Sequence, residues 1–271
     1  MTRRGLALVV GALVLLHAPS VSAEPILKPH KYHGPIPQNT FSLRVGVFGG
    51  ASNEEMIDFL DGRLQAPFTA TTEDFGSSLT LEAGYTHKPH PHFGVRFNAA
   101  LSLLSSEGSG VFVPQVPNLP DTVLLPELKY HREFKVELIT VEASGIYYFA
   151  DAAVAEFQTY LGGGFSVGFP HETLTETRVD SDTGQPYTDE IPGLPSEASE
   201  WDVSAGVHMV GGLLYYFSPR WGISAEGKVQ LMQGRFDQIE VWDEEINQFE
   251  NVNFVVDYTG FYLSVGVTYG F

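Results

Sequence analysis

The sequence predicts an all-β fold, an eight-stranded antiparallel up-and-down transmembrane β-barrel. Three observations predict it. Eight runs alternate apolar or aromatic residues with Gly, Ser, Thr or charged residues, the period-two pattern of a strand with two unlike faces. The connections between the runs alternate long and short. Aromatic residues gather beside the short connections and the C-terminus, while acids gather in the long ones.

The N-terminus predicts export. Arg3 and Arg4 form a short basic region, and Gly5 to Leu16 is an apolar run of twelve residues. Pro19 breaks the run, and Val21-Ser22-Ala23 supplies small residues for cleavage after Ala23, so residues 1–23 read as a secretory signal peptide. Residues 24–40 hold four prolines and no period, which predicts a flexible periplasmic tail. After Ala23 no apolar run approaches the ~20 residues of a membrane-spanning helix, so only strands can carry a membrane crossing. Cysteine is absent, and 28 glycines with 13% aromatic residues suit tightly packed β structure.

The expected strands are 41–49, 75–87, 93–105, 134–149, 157–169, 201–217, 221–231 and a final run to Phe271. The final run is the clearest. Phe261, Leu263, Val265, Val267, Tyr269 and Phe271 alternate with Gly260, Tyr262, Ser264, Gly266, Thr268 and Gly270. The run 134–149 is the least regular, because Glu137 shares a parity with Ile139 and Val141.

Three connections are short (88–92, 150–156, 218–220) and four are long (50–74, 106–133, 170–200, 235–254). That alternation puts short turns and both termini on the periplasmic side and the long loops outside the cell. Phe41, Phe93, Tyr147, Phe149, Phe157, Tyr215, Phe217, Trp221, Tyr269 and Phe271 then form one aromatic girdle at the periplasmic boundary. The four long segments hold 24 acids against 5 bases. With a formal net charge of −18, the chain is no partner for nucleic acid.

The long segments carry local signals. Ser52 and Glu55 match a capping box, and Met56, Phe59, Leu60 and Leu64 share a helical face, which predicts a short helix. Asp180-Ser181-Asp182-Thr183-Gly184 reads as a hairpin turn that would extend strands five and six beyond the membrane. Residues 106–126 read as an apolar loop with regularly spaced prolines.

Strand count, loop alternation and the terminal strand FYLSVGVTYGF together resemble the small outer-membrane barrels of the OmpA transmembrane-domain, OmpX and OmpW kind. The resemblance covers residues 41–271. It implies a monomer in the bacterial outer membrane, with Tyr269 and Phe271 as the signal read by the barrel-assembly machinery. A place in that membrane implies contact with outer-membrane lipids and lipopolysaccharide; the acidic loops either bind divalent cations loosely, bridging to lipopolysaccharide phosphates, or form a solvated acidic surface with no partner.

By parity, Arg44, Glu82, Arg96, Glu142, Glu226 and Lys228 point into the barrel. An eight-stranded barrel is only wide enough to be filled by side chains. Buried charges must be paired, so the six predict a closed ion-pair network rather than a proton or ion path. Gly164-Phe165-Ser166-Val167-Gly168 matches G-x-S-x-G, but it lies inside an alternating strand with no following helix, against the needs of a nucleophile elbow. His208 faces the lumen with no nucleophile assigned beside it. His87, His90 and His92 crowd the first short turn, yet their spacing fits no ordinary ligand pattern, so no metal and no cofactor are expected. The Asp180/Asp182 pair lacks the glycine and glutamate of a calcium loop.

The expected function is a non-catalytic barrel acting in cell-surface interaction or envelope integrity through its loops. The alternative is a transporter of small apolar solutes or a narrow channel, and a weaker one is a lipid-modifying enzyme. Two outcomes follow. Mass spectrometry of the exported protein should find Glu24 as its first residue. Deleting Phe271 should slow membrane insertion in cells while leaving refolding in detergent unchanged, and equal insertion rates would remove the role assigned to that residue.

Overall fold

The computed structural model describes residues 37–62, 71–72, 74–112, 127–151, 156–187, 197–243 and 248–271. The signal peptide, its cleavage site at Ala23 and nearly all of the tail lie outside the described residues. No described helix is long and apolar enough to cross a membrane.

Eight strands close into a ring: β1 (Asn39–Gly49), β3 (Ser78–His90), β4 (Phe93–Phe112), β5 (Leu128–Tyr148), β6 (Phe157–Asp180), β8 (Ser204–Tyr216), β9 (Trp221–Asp243) and β11 (Gly260–Gly270). Each pairs antiparallel with its neighbour in the chain. β11 returns to β1 over ten residue pairs, from Thr40↔Gly270 to Gly49↔Phe261. Closure leaves no open strand edge within the ring, the condition for crossing hydrocarbon with strands.

The outward positions form one apolar belt. On β9 it runs Trp221, Ile223, Ala225, Gly227, Val229, Leu231, and on β6 it ends at Phe169. The belt's periplasmic margin carries the expected aromatics, with Phe93, Tyr147, Phe149, Phe157 and Phe271 all exposed. Trp221 packs on Tyr269 at 4.9 Å between ring centroids.

Strand continues into three of the four long segments, and in 170–200 it runs to the hairpin turn that the sequence predicts there. Most of the described residues of 106–133, 170–200 and 235–254 are strand rather than loop. β4, β5, β6 and β9 are 20, 21, 24 and 23 residues long, against 11 for β1 and β11. A membrane strand needs ~9–11 residues, so the excess stands outside the cell. Two further strands join this extension: β7 (Glu197–Trp201) pairs with β6, and β10 (Gln248–Asp257) pairs with β9.

The reason is a reversal of polarity at the membrane edge. Within the belt, outward residues are apolar and inward ones polar. Above it on β5, the outward residues are Glu137, Lys135 and Glu133, while Leu138, Val136 and Phe134 point inward and are buried. Glu137 therefore keeps its parity and marks the edge of the belt.

Segment 50–74 contains α1 (Glu54–Gly62) and the two-residue β2 (Thr71–Thr72). Ser52 Oγ accepts from the Glu54 N–H at 3.3 Å. The reciprocal half of the expected capping box is absent, because the Ser52 N–H bonds Asp257 O and Glu55 accepts from the Val255 N–H instead. The turn after β6 is tied by Asp180 Oδ1, which accepts from the Asp182 and Thr183 N–H groups at 2.9 and 2.7 Å.

Gly164 is required by close strand approach. A Cβ there would lie 1.8 Å from Ala143 O, whereas a Cβ at Gly227 would meet nothing nearer than 3.6 Å. Gly164→Ala should therefore reduce the fraction that migrates fast on unboiled gels, and Gly227→Ala should not. Equal folded fractions for the two variants would contradict the packing at Gly164.

Candidate functional site

The six expected lumen charges lie in one belt at mid-height of the barrel, each at most 5% exposed. Strand register brings them there. Arg44 stands opposite Glu82, and its Nε bonds Glu82 Oε2 at 2.9 Å. Lys228 Nζ bridges Glu82 Oε1 at 3.1 Å and Glu142 Oε1 at 2.5 Å. Glu226 accepts from Arg96 and lies 3.6 Å from Arg44 Nη2. Small residues make the room: a Cβ on Gly266 would come within 2.5 Å of Arg44 Cγ.

Residues beyond those six complete the belt. Asn98 accepts from Arg44 at 3.2 Å and donates to Glu142 at 3.3 Å. The Tyr160 hydroxyl donates to Glu226 at 2.5 Å. Arg96 lies over the Tyr160 ring and Lys228 over the Tyr262 ring, at 4.8 and 4.0 Å. All share the inward parity, so the same pattern contains them. Their neutrality hid them from a reading keyed to charge.

Beside the belt, His208 is held by two hydroxyls. Ser144 Oγ lies 2.7 Å from Nε2, and Ser166 Oγ lies 2.7 Å from Nδ1. Ser166 is the serine of the G-x-S-x-G match, so the histidine does have serines beside it. Both come from the interior of long strands, without the strand–turn–helix that exposes a nucleophile.

An apolar layer lies on each side of the belt. Toward the periplasm, Ile146, Tyr148, Tyr160, Val210, Leu214 and Tyr216 cluster. Lys88 is buried among them. Its Nζ bonds Gln158 and the Tyr216 hydroxyl at 3.3 Å each, 5.1 and 5.3 Å from the Tyr148 and Tyr216 ring centres. Toward the outside, a larger core includes Phe48, Met56, Phe134, Phe236, Phe254 and Tyr258.

Above the lipid belt, Glu172 is fully buried and accepts from the Tyr258 hydroxyl. Burial pushes its carboxyl up to about 8, helped by Asp202, Glu200 and Asp237 nearby. Two of those acids close a seam between β7 and β9. Asp202 Oδ2 accepts from the Arg235 N–H at 2.8 Å, and Glu200 Oε2 from the Asp237 N–H at 2.9 Å. Farther out, Glu176 receives Arg132 and Arg178 at 2.7 and 2.6 Å.

The turn histidines are each engaged on one nitrogen. His87 bonds Asn39 at 2.8 Å, His90 accepts from the His92 N–H at 3.2 Å, and His92 bonds Tyr148 O at 3.0 Å. Among the described residues no group of three or more such side chains is arranged to hold a metal ion. Tyr269 and Phe271 lie at the periplasmic rim, where the Phe271 N–H bonds Asn39 O at 3.0 Å.

No known family profile matches the chain, and no curated protein does. Solved structures match its fold. The outer membrane protein OprG of Pseudomonas aeruginosa is 14% identical with a TM-score of 0.51, over 88% of this chain and 97% of that one. Neisserial surface protein A is 14% identical with a TM-score of 0.37, over 86% and 96%. The attachment invasion locus protein Ail of Yersinia pestis, crystallised with the heparin analogue sucrose octasulfate, is 13% identical with a TM-score of 0.37, over 86% and 98%. The fold is that of a small eight-stranded outer-membrane barrel.

Two outcomes test the site. Lys228→Met leaves Glu142 without its cation and should cost about 3–5 kcal/mol in detergent unfolding. Lys135→Met breaks only an exposed pair with Glu133 and should cost about 0–1 kcal/mol. Equal losses would mean that the belt is not buried.

The second outcome concerns Glu172. Unfolded it ionises near the ordinary 4.5, and folded near 8, so between these values the native state holds the extra proton. Its stabilising effect is complete below pH 4.5 and is lost as pH rises through about 8. Glu172→Gln should flatten that decline in melting temperature, and an unchanged profile would exclude Glu172 as its source.

Proposed function

We propose that this chain is a non-catalytic barrel whose working surface is its extracellular sheet, serving cell-surface interaction or envelope integrity. The observation that carries the reading is the filled lumen. The ionic belt lies between two apolar layers, so all three levels of the interior are occupied by side chains. Meanwhile the tallest strands present a charged, polar outer face beyond the membrane. An apolar solute would have to displace Phe134, Phe236 and Phe254, which opposes the transport alternative.

The partners follow from position and charge. Acids outside the membrane suit divalent cations, which would bridge them to lipopolysaccharide phosphates. Tyr269 and Phe271 suit recognition by the barrel-assembly machinery during biogenesis, and the barrel works as a monomer.

Reconstitution tests the reading. Planar bilayers holding the purified protein should show no steady conductance, and proteoliposomes should retain apolar dyes. Lipopolysaccharide vesicles should bind the protein with magnesium and release it on chelation. Dye leakage above that of empty vesicles would move the assignment to transport.

A further inference from the structure

We propose that the outward face of β4 to β7, just above the lipid belt, holds the sugar headgroup of an outer-leaflet glycolipid. The site presupposes the outer-membrane placement proposed above and is built from two rows of side chains laid out by strand register. Leu103, Glu137, His171 and Trp201 stand side by side across the four strands. Ser105, Lys135, Thr173 and Ser199 form the next row outward. Beneath both, Leu101, Ile139 and Phe169 form an exposed apolar row that belongs to the belt. Rows on one face are ~7 Å apart, two residues along a strand. The two upper rows therefore lie at the depth of lipid headgroups, which extend ~5–8 Å beyond the hydrocarbon on each side.

The rows border a recess of about 500 Å³, whose lining includes Leu103, Ser105, Lys135, Glu137, His171 and Thr173. That is the scale of small-ligand clefts, roughly 300–1,000 Å³. Its lining is graded as a glycolipid is. Leu103 continues the apolar row below, where acyl chains lie, and Ser105 and Thr173 carry hydroxyls above it. An aromatic platform flanks the recess. The His171 and Trp201 rings stack with centroids 4.5 Å apart and planes 12° apart. His171 Nε2 bonds Ser199 Oγ at 3.0 Å, and its Nδ1 lies 3.9 Å from Glu137 Oε2. One ring face of Trp201 is taken up by His171, yet the residue is 61% exposed, so the rest of its indole faces the headgroup layer.

Charge selects the class of headgroup. Around the recess one ammonium, Lys135, stands with two carboxylates, Glu133 and Glu137. Lys135 Nζ is already bonded to Glu133 at 2.8 Å. No surplus lysine charge is left to hold a lipid phosphate. A neutral sugar suits the surface better. Its C–H face packs on an aromatic ring, and its hydroxyls donate to Glu137 and exchange hydrogen bonds with Ser105 and Thr173.

The full mature chain is reconstituted in phosphatidylethanolamine nanodiscs holding equal small fractions of glucosyl diacylglycerol and phosphatidylglycerol. A chelator is present throughout, so cation bridging to the acidic loops plays no part, and dye retention is measured separately. Lipids that stay with the protein on release from the disc are counted by native mass spectrometry. The glucosyl lipid should be retained about 2–10-fold over phosphatidylglycerol, the ratio that one aromatic packing contact supplies. Trp201→Leu keeps an apolar residue at the margin and should abolish the preference, and Thr173→Val should reduce it. Trp221→Leu, an exposed aromatic at the periplasmic margin, should leave it unchanged. All three variants should still migrate fast on unboiled gels. Equal retention of the two lipids, or a preference for phosphatidylglycerol, would overturn the proposal. A glucosyl preference that survives both Trp201→Leu and Thr173→Val would place the sugar elsewhere and equally overturn it. Dye leakage with the preference intact would remove the non-transporting reading and leave the sugar site standing.

Discussion

In hydrocarbon, a strand can satisfy its backbone only through another strand, and that constraint organises this molecule. Pairing of β11 with β1 closes the ring and removes the last open edge within it. Once the ring is closed, each residue has two possible surroundings, lipid or lumen, and the pleat assigns them alternately. Lipid takes Val, Leu, Phe and Ile. The polar side chains are left to the interior, which eight strands make too narrow for bulk water. The ionic belt follows from this enclosure, since charges sent inward must neutralise one another there. Arg44, Glu82, Glu142 and Lys228 do so through contacts of 2.5–3.1 Å.

At the outer margin of the lipid the same pleat serves the opposite solvent. Water now bathes the outside, and an apolar interior becomes favourable, as in a soluble β protein. β5 passes through both regimes without a break, with Ile139 on the lipid side and Glu137, Lys135 and Glu133 beyond it. The apolar interior above the belt lets the taller wall stand free of the membrane. At the gap between β7 and β9, where backbone pairing lapses, the carboxylates of Glu200 and Asp202 take over as acceptors.

The membrane half was legible in the sequence because its alternation has one sense throughout. Phe261 to Phe271 shows it best. Parity alone sorted Arg44, Glu82, Arg96, Glu142, Glu226 and Lys228 into the interior. The outer half was misread in part for a physical reason: the alternation survives there with inverted polarity, so Leu128 and Tyr130 inside, with Lys129, His131 and Glu133 outside, look like a charged loop. A bulge on β9 at Asp237–Gln238, where Val252 faces Ile239 and Phe254 faces Phe236, disturbs the period again. The capping box at Ser52 was a sound local signal overridden by tertiary bonds to β10. The buried place of Lys88 and the hydroxyls around His208 depend on which strands become neighbours, which no single run of residues encodes.

The ionic belt also solves a problem of pairing that alternation leaves open. A strand slipped by one residue is rejected at once, because lipid and lumen faces exchange. A slip by two keeps every face correct and is nearly invisible to the hydrophobic pattern. Here such a slip would carry Glu82 away from Arg44, or Lys228 away from Glu142, and leave buried charge facing an apolar layer. The belt thus acts as a combination lock for the assembling sheet. β1, β3, β4, β5 and β9 must all arrive in one alignment before the charges cancel, so the residues that seal the lumen also proofread how the wall was built.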